Sequence, residues 1–141
     1  MTRLINFPDG LTSASAPVVS AGTQEDFNIN NNQVAPYALL AIDAAEYKSA
    51  FIDFEISRYN GSFEFRQSGS AIMSYDGTDW VLNIGNYQGD DIIQDTITSL
   101  EHVVLSVATL AGVGTLSHTS GNMATVHFGK MRTIITRISA I

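Results

Sequence analysis

The stretch Ala50-Phe51-Ile52-Asp53-Phe54-Glu55-Ile56-Ser57-Arg58-Tyr59 runs directly into Asn60-Gly61. Ile52, Phe54 and Ile56 fall on one side of an extended chain, and Asp53, Glu55 and Ser57 on the other. That period of two marks a strand with one buried face. Asn-Gly is the strongest short hairpin signal, because both residues accept the left-handed backbone of a tight turn. Phe63 and Phe65 resume the alternation, and Ser68-Gly69-Ser70 reads as a bulge before more strand over 71–75.

The same punctuation continues in both directions. Asp76-Gly77-Thr78-Asp79 is a second hairpin turn, leading into Trp80, Leu82 and Ile84 on one face. A loop over 85–91 and strands over 92–99 and 103–109 follow. Ala111-Gly112-Val113-Gly114 turns the chain into 115–119, and Ser120-Gly121-Asn122 turns it again into a strand over 123–128. A last strand over 132–140 carries Ile134, Thr136 and Ile138. Upstream, the apolar run 37–42 fits a central strand, and Asp43-Ala44-Ala45-Glu46-Tyr47 a single helical turn. Phe27 and Ile29 alternate with Asn28 and Asn30, and Asn30-Asn31-Asn32 closes that strand, since Asn tolerates left-handed backbone. Turns recurring about every 8–15 residues predict an antiparallel sandwich or barrel, not alternating βαβ units.

Before Asp26 the pattern is different. Pro8-Asp9-Gly10 is a turn, and Thr12-Ser13-Ala14-Ser15-Ala16-Pro17 is small and polar, so this segment cannot offset its own ordering entropy. It is either a loose leader or an arm that orders against something else. Leu4, Ile5, Phe7, Leu11, Val18 and Val19 are more apolar than a plain leader needs. The domain reading is therefore an arm over 1–24 and a sandwich over 25–141.

Composition narrows the function. The 141 residues suit one domain with a real core. Charged residues make up only 15%, where roughly 25% is typical, and Ser, Thr, Asn and Gly replace them. Two lysines cannot supply the wet faces of long amphipathic helices. A net charge of −7 with seven scattered cations is the wrong sign for nucleic-acid binding. Absence of cysteine removes disulfides, thiolate chemistry and Cys-type zinc sites. The start carries no signal-type apolar region and no run long enough to span a bilayer, so no membrane partner is expected.

Candidates for catalysis are few. His118 and His127 would be diagonal neighbours within metal-binding reach if 120–123 formed a four-residue hairpin loop. A loop one residue different separates them and buries Leu116 with Val126 and Phe128, which favours a surface or interface histidine and no metal site. The acids of 76–79 and of Gly89-Asp90-Asp91 lack calcium-loop spacing. No nucleophile-elbow, zincin or phosphate-loop motif occurs. The sequence thus points to no catalytic residue, no cofactor and no enzyme.

The aromatic residues are more informative. Trp80 reads as a core anchor. Phe51, Tyr59, Tyr75 and Tyr87 fall on the opposite parity or at strand ends. Together with His118 they are the candidate oligomer or ligand surface, because a low-charge surface rich in Ser, Thr and Asn suits contact with neighbours.

Several phrases then resemble a family. Phe54-Glu55-Ile56-Ser57-Arg58, Ser68-Gly69-Ser70-Ala71-Ile72-Met73, Trp80-Val81-Leu82, Gly114-Thr115-Leu116-Ser117-His118-Thr119-Ser120 and Phe128-Gly129-Lys130-Met131-Arg132 resemble, in order, strands of small structural domains of tailed bacteriophages. His118 stands where the resemblance leads one to expect tyrosine. The resemblance spans roughly residues 50–137. It implies an all-β, antiparallel jelly-roll-like β-sandwich of about 8–10 strands with an extended N-terminal arm, placed in a virion and made in the host cytoplasm. Such domains serve as capsid cement (decoration) proteins or as tail-fibre heads. A fibre needs a shaft or attachment segment before its head, so the length favours cement. The implied partners are the chain itself, as a homotrimer, and the major capsid protein, with Leu4, Ile5, Phe7 and Leu11 as the contacting arm. The alternative is a tail-fibre tip or carbohydrate-binding module, with Tyr59, Tyr75, Trp80 and Tyr87 stacking on sugars.

Overall fold

The alternation over 50–59 becomes the longest strand. In the computed structural model, which describes residues 22–61, 64–89, 103–123 and 127–140, the strands are β1 (Thr23–Asn28), β2 (Tyr37–Asp43), β3 (Tyr47–Tyr59), β4 (Glu64–Tyr75), β5 (Trp80–Gly89), β6 (Val103–Leu110), β7 (Val113–Ser120) and β8 (Phe128–Ser139). Of the expected arm over 1–24, residues 1–21 lie outside the described residues, as do the strand over 92–99 and Phe63, while Thr23 and Gln24 belong to β1 and pair with β8. A five-stranded sheet in the order β1-β8-β3-β4-β5 faces a three-stranded sheet in the order β2-β7-β6, with every neighbouring pair antiparallel. The protein is an all-β sandwich.

Its core is the inward parity of both sheets: Ala50, Ile52, Phe54 and Ile56 of β3, Ala71 and Met73 of β4, Met131 and Ile135 of β8, against Leu40, Ile42, Leu105 and Leu116. Trp80 joins the two layers. It is buried, its backbone N–H donates to Thr109 Oγ1 (2.7 Å) and its Nε1–H to the Gly112 carbonyl (2.9 Å). Gly114 lies against its indole, where any Cβ would collide with the ring.

Both expected hairpin turns form. Tyr59 pairs with Glu64 across a four-residue loop, in which Gly61 has φ +93°. Tyr75 pairs with Trp80, and the Asp76 carboxylate accepts the N–H groups of Thr78 (2.9 Å) and Asp79 (2.8 Å). These bonds hold that carboxyl below its usual range. The bulge at 68–70 is also present, but the extra residue belongs to β5: Ser68 faces Gln88 and Ser70 faces Gly85. The stretch read as a loop after Gly85 is therefore strand as far as Gly89.

Other readings are corrected by pairing. β2 is an edge strand of the smaller sheet, not a central one, and its outward residues are exposed. The expected helical turn after it is a β-turn, closed by Glu46 N–H to Asp43 O (2.9 Å), with the Asp43 side chain accepting the Ala45 N–H. Among the described residues no hairpin partner follows β7: β7 pairs with β2 and β6, and β8 crosses to the other sheet between β1 and β3. Neither expected histidine register therefore exists. In β8 the inward residues are Met131, Thr133 and Ile135, and Ile134 faces outward.

The topology keeps the outer ribs of a rolled hairpin, β1 on β8 and β2 on β7. Its middle is a β3-β4-β5 meander, which a strict jelly roll lacks.

Candidate binding face

Antiparallel register places side chains of the five-stranded sheet in rows across its outer face. One row is Thr136-Phe51-Ile72-Asn83, and the next is Gln24-Ile134-Asp53-Ser70-Gly85. Phe51 and Ile72 are direct neighbours, Ile134 is diagonal to Phe51, and Val81 is diagonal to Ile72. These four are 45%, 42%, 46% and 41% exposed, respectively. Together they present on the order of 300 Å² of side chain, the size of the largest patch on an ordinary monomer, which is often functional.

Below this apolar strip the face becomes polar. Asp26-Arg132-Glu55-Ser68 form one row and Asn28-Lys130-Ser57-Arg66 the next. Arg66 is held by Glu64 (2.8 Å) and more loosely by Glu55 (3.4 Å), exposed pairs that contribute little stability. Lys130 has no carboxylate opposite it on either flanking strand. The end row is Phe128-Tyr59-Glu64, with both rings about half exposed. Across these last three rows lies a groove of ≈ 190 Å³ lined by Ser57, Arg66, Phe128, Lys130 and Arg132 with Glu55 at its side. Phe51 and Tyr59, expected on the surface, are thus on one face at its opposite ends.

The remaining expected surface residues divide. Tyr75 is half-buried, its ring tilted against Trp80 (centroids 5.6 Å apart) with Lys48 Nζ 5.0 Å over its face. The side chain of Tyr87 lies outside the described residues, as do Leu4, Ile5, Phe7 and Leu11. Trp80 is core, and Tyr59 and Tyr75 sit at opposite ends of the β3-β4 hairpin, so those three aromatic residues form no common sugar platform.

His118 is a correction: it is fully buried and belongs to no surface. Its Nε2 accepts the Asn30 N–H (3.1 Å), which places the proton of the neutral ring on Nδ1, a buried atom with no partner. Burial first, and the Arg58 guanidinium second, lower its pKa to about 4. Arg58 is itself the largest fully buried side chain. Its Nε–H donates to His127 Nε2 (3.2 Å), and Nη2 donates to Asn31 Oδ1 (3.0 Å) and the Gly121 carbonyl (2.8 Å). Asn31 Oδ1 also accepts the Met123 N–H (2.7 Å), and Ser120 is tied to Asn30 and Gln33. His127 is likewise lowered, by burial and then by Arg58.

The asparagine run, read only as a strand end, is therefore the knot joining the β1–β2 loop to β3 and β7; Asn32 does take left-handed backbone, φ +52°. Arg58 was legible in principle, because it continues the inward parity of Ile52, Phe54 and Ile56. Gln67, which faces Ile56 across the ladder, is buried as well, and its amide has no hydrogen-bond partner. Among the described residues no group of three or more His, Cys, Asp or Glu is placed to hold a metal ion, and no helix is long and apolar enough to cross a membrane.

No protein-family model and no curated protein matches the sequence. Among solved structures, the tailspike protein of Acinetobacter baumannii phage AM24 is similar in shape at 10% identity and a TM-score of 0.45. The match covers 87% of this chain and 26% of the tailspike chain. The chain thus spans about a quarter of that protein's length.

Proposed function

We propose that this chain is a structural, non-catalytic protein of a tailed-phage virion, and within that class a capsid cement protein. In this reading a homotrimer seats on the outside of the shell against the major capsid protein. The observation that carries it is the outer face of the five-stranded sheet. Six of the nine exposed large apolar residues among those described lie there: Phe51, Tyr59, Ile72, Val81, Phe128 and Ile134. An apolar strip bordered by polar rows is the anatomy of a protein-docking surface, and the ordered strand phrases that resemble phage structural domains name the setting. A protein that binds only the assembled shell stabilises it by mass action, by about 2.7 kcal/mol when present at 100 times its Kd. The reading places the protein on the capsid surface after synthesis in the host cytoplasm. Electron microscopy of intact particles tests it: density at regular positions on the head supports cement, and particles lacking the protein altogether overturn a virion role.

A second reading, a tail-fibre tip or receptor-binding module, is favoured by the groove beside Phe128. Arg66, Lys130 and Arg132 around an exposed ring suit an acidic saccharide, whose carboxylate pairs with the cations while its ring stacks. Density at the tail instead of the head, with binding to acidic but not neutral glycans, would select it.

A further inference from the structure

We infer that the strip Phe51-Ile72-Val81-Ile134 is the docking site of this chain's own N-terminal segment, residues 1–21, with Val18 and Val19 its nearest contacts. The first described residue is Gly22, and its position decides the matter. A Cβ on Gly22 would touch Ile134 Cγ2 at 2.9 Å and Thr136 Oγ1 at 3.4 Å, so Gly22 faces the outer side of the sheet, at the end of the strip. Thr23 faces Ile135, which sets Gly22 beside Thr136, in the row that continues through Phe51 and Ile72.

Distances fit this occupant. Neighbouring strands are about 4.8 Å apart, so Phe51 lies roughly 10 Å and Ile72 roughly 15 Å across the sheet from Gly22. Val19 and Val18, three and four residues upstream, reach about 10 and 14 Å when extended. Leu11 has slack to reach Val81. Composition fits as well: after Met1 the segment holds six large apolar residues, Leu4, Ile5, Phe7, Leu11, Val18 and Val19, and only two charged side chains, Arg3 and Asp9, of opposite sign.

A second copy of the chain is the competing occupant, and the tether stands against it. A connection this short supplies an effective concentration in the millimolar range, about a thousandfold above a micromolar solution of free copies. The inference takes up the same strip that carries the proposed function, and its readouts are taken on free protein without particles, so its failure is distinct from failure of the virion reading.

The chain has no cysteine, so introduced pairs report without background. In the full chain at low micromolar concentration, Val19→Cys with Phe51→Cys, and separately Val18→Cys with Ile72→Cys, are oxidised under mild conditions. The expected product is a disulfide within one chain, with no covalent dimer. A control pair, Val19→Cys with Leu110→Cys on the other sheet, remains reduced. In the single variant Phe51→Cys, thiol labelling is expected to accelerate roughly tenfold when Val18→Asp and Val19→Asp are added, because protection reports local closure. Oxidation of either strip pair no better than the control overturns the inference. So does an unchanged labelling rate, and so does interchain dimer formation by Phe51→Cys alone, which assigns the strip to a second copy.

Discussion

At the residue scale, two buried side chains carry opposite kinds of consequence. Trp80 fills the junction of the sheets, and Trp80→Ala is expected to cost roughly 3–5 kcal/mol in denaturant unfolding, since it removes a buried indole and leaves a cavity in its place. Gly114→Ala should unfold the protein comparably, because the added methyl occupies the indole. His118 makes stability depend on pH. Its folded pKa, about 4, is below the ordinary 6.5, so between those values the unfolded chain binds more protons. Stability is therefore complete above pH 6.5 and falls as pH drops towards 4, by about 3 kcal/mol in all from this residue. His127 adds in the same direction. His118→Gln keeps an acceptor for Asn30 and should flatten the pH profile of the unfolding midpoint; an unchanged acid limb would refute the assignment.

Among the elements, the β6–β7 hairpin shows turn chemistry left unoptimised. Leu110 pairs with Val113, so Ala111 and Gly112 form a two-residue turn with φ +52° and +81°. Gly accepts this geometry and Ala does not. Ala111→Asn is expected to raise stability by about 0.5–1 kcal/mol, read as a higher denaturant midpoint with an unchanged slope. The bulge between β4 and β5 is constrained differently. A Cβ on Gly69 would stand 3.1 Å from the Phe54 ring and 3.3 Å from the Gly85 carbonyl, so a side chain there requires its neighbours to give by a few tenths of an ångström, a constraint of contact and not of dihedral angle.

For the whole molecule, the apolar strip sets the expectation of partners. Size-exclusion with light scattering at micromolar concentration tests the proposed trimer, and a monomer counts against it. Removal of residues 1–20 tests the arm: the sandwich begins at β1, so the shortened chain should retain β-type circular dichroism yet fail to bind capsids. Shell binding at full strength by the shortened chain would exclude Leu4, Ile5, Phe7 and Leu11 as the anchor. Glu55→Ala alters an exposed polar position and Lys130→Ala a half-buried one with no carboxylate opposite it, and each should leave stability within about 0.5 kcal/mol of the parent.

What the sequence determined by itself was local. The buried parity of β3, the turns at Asn60-Gly61 and Asp76-Gly77, and the anchoring Trp80 all follow from neighbours within a few residues, because pleat and turn geometry act over that range. The outward Phe51 and Tyr59 follow from the same parity. Partition of the strands between two sheets was decided only by tertiary structure. In β8 the run Thr133-Ile134-Ile135-Thr136 has no alternation of its own, and its facing is set by Met131 and Ile135 meeting Ile56 and Ile52. The same long-range pairing buries His118 and Arg58 together and gathers Phe51, Ile72, Val81 and Ile134 from four strands into one strip. Such pairings depend on the summed fit of whole strands far apart in the chain, a quantity no short stretch encodes.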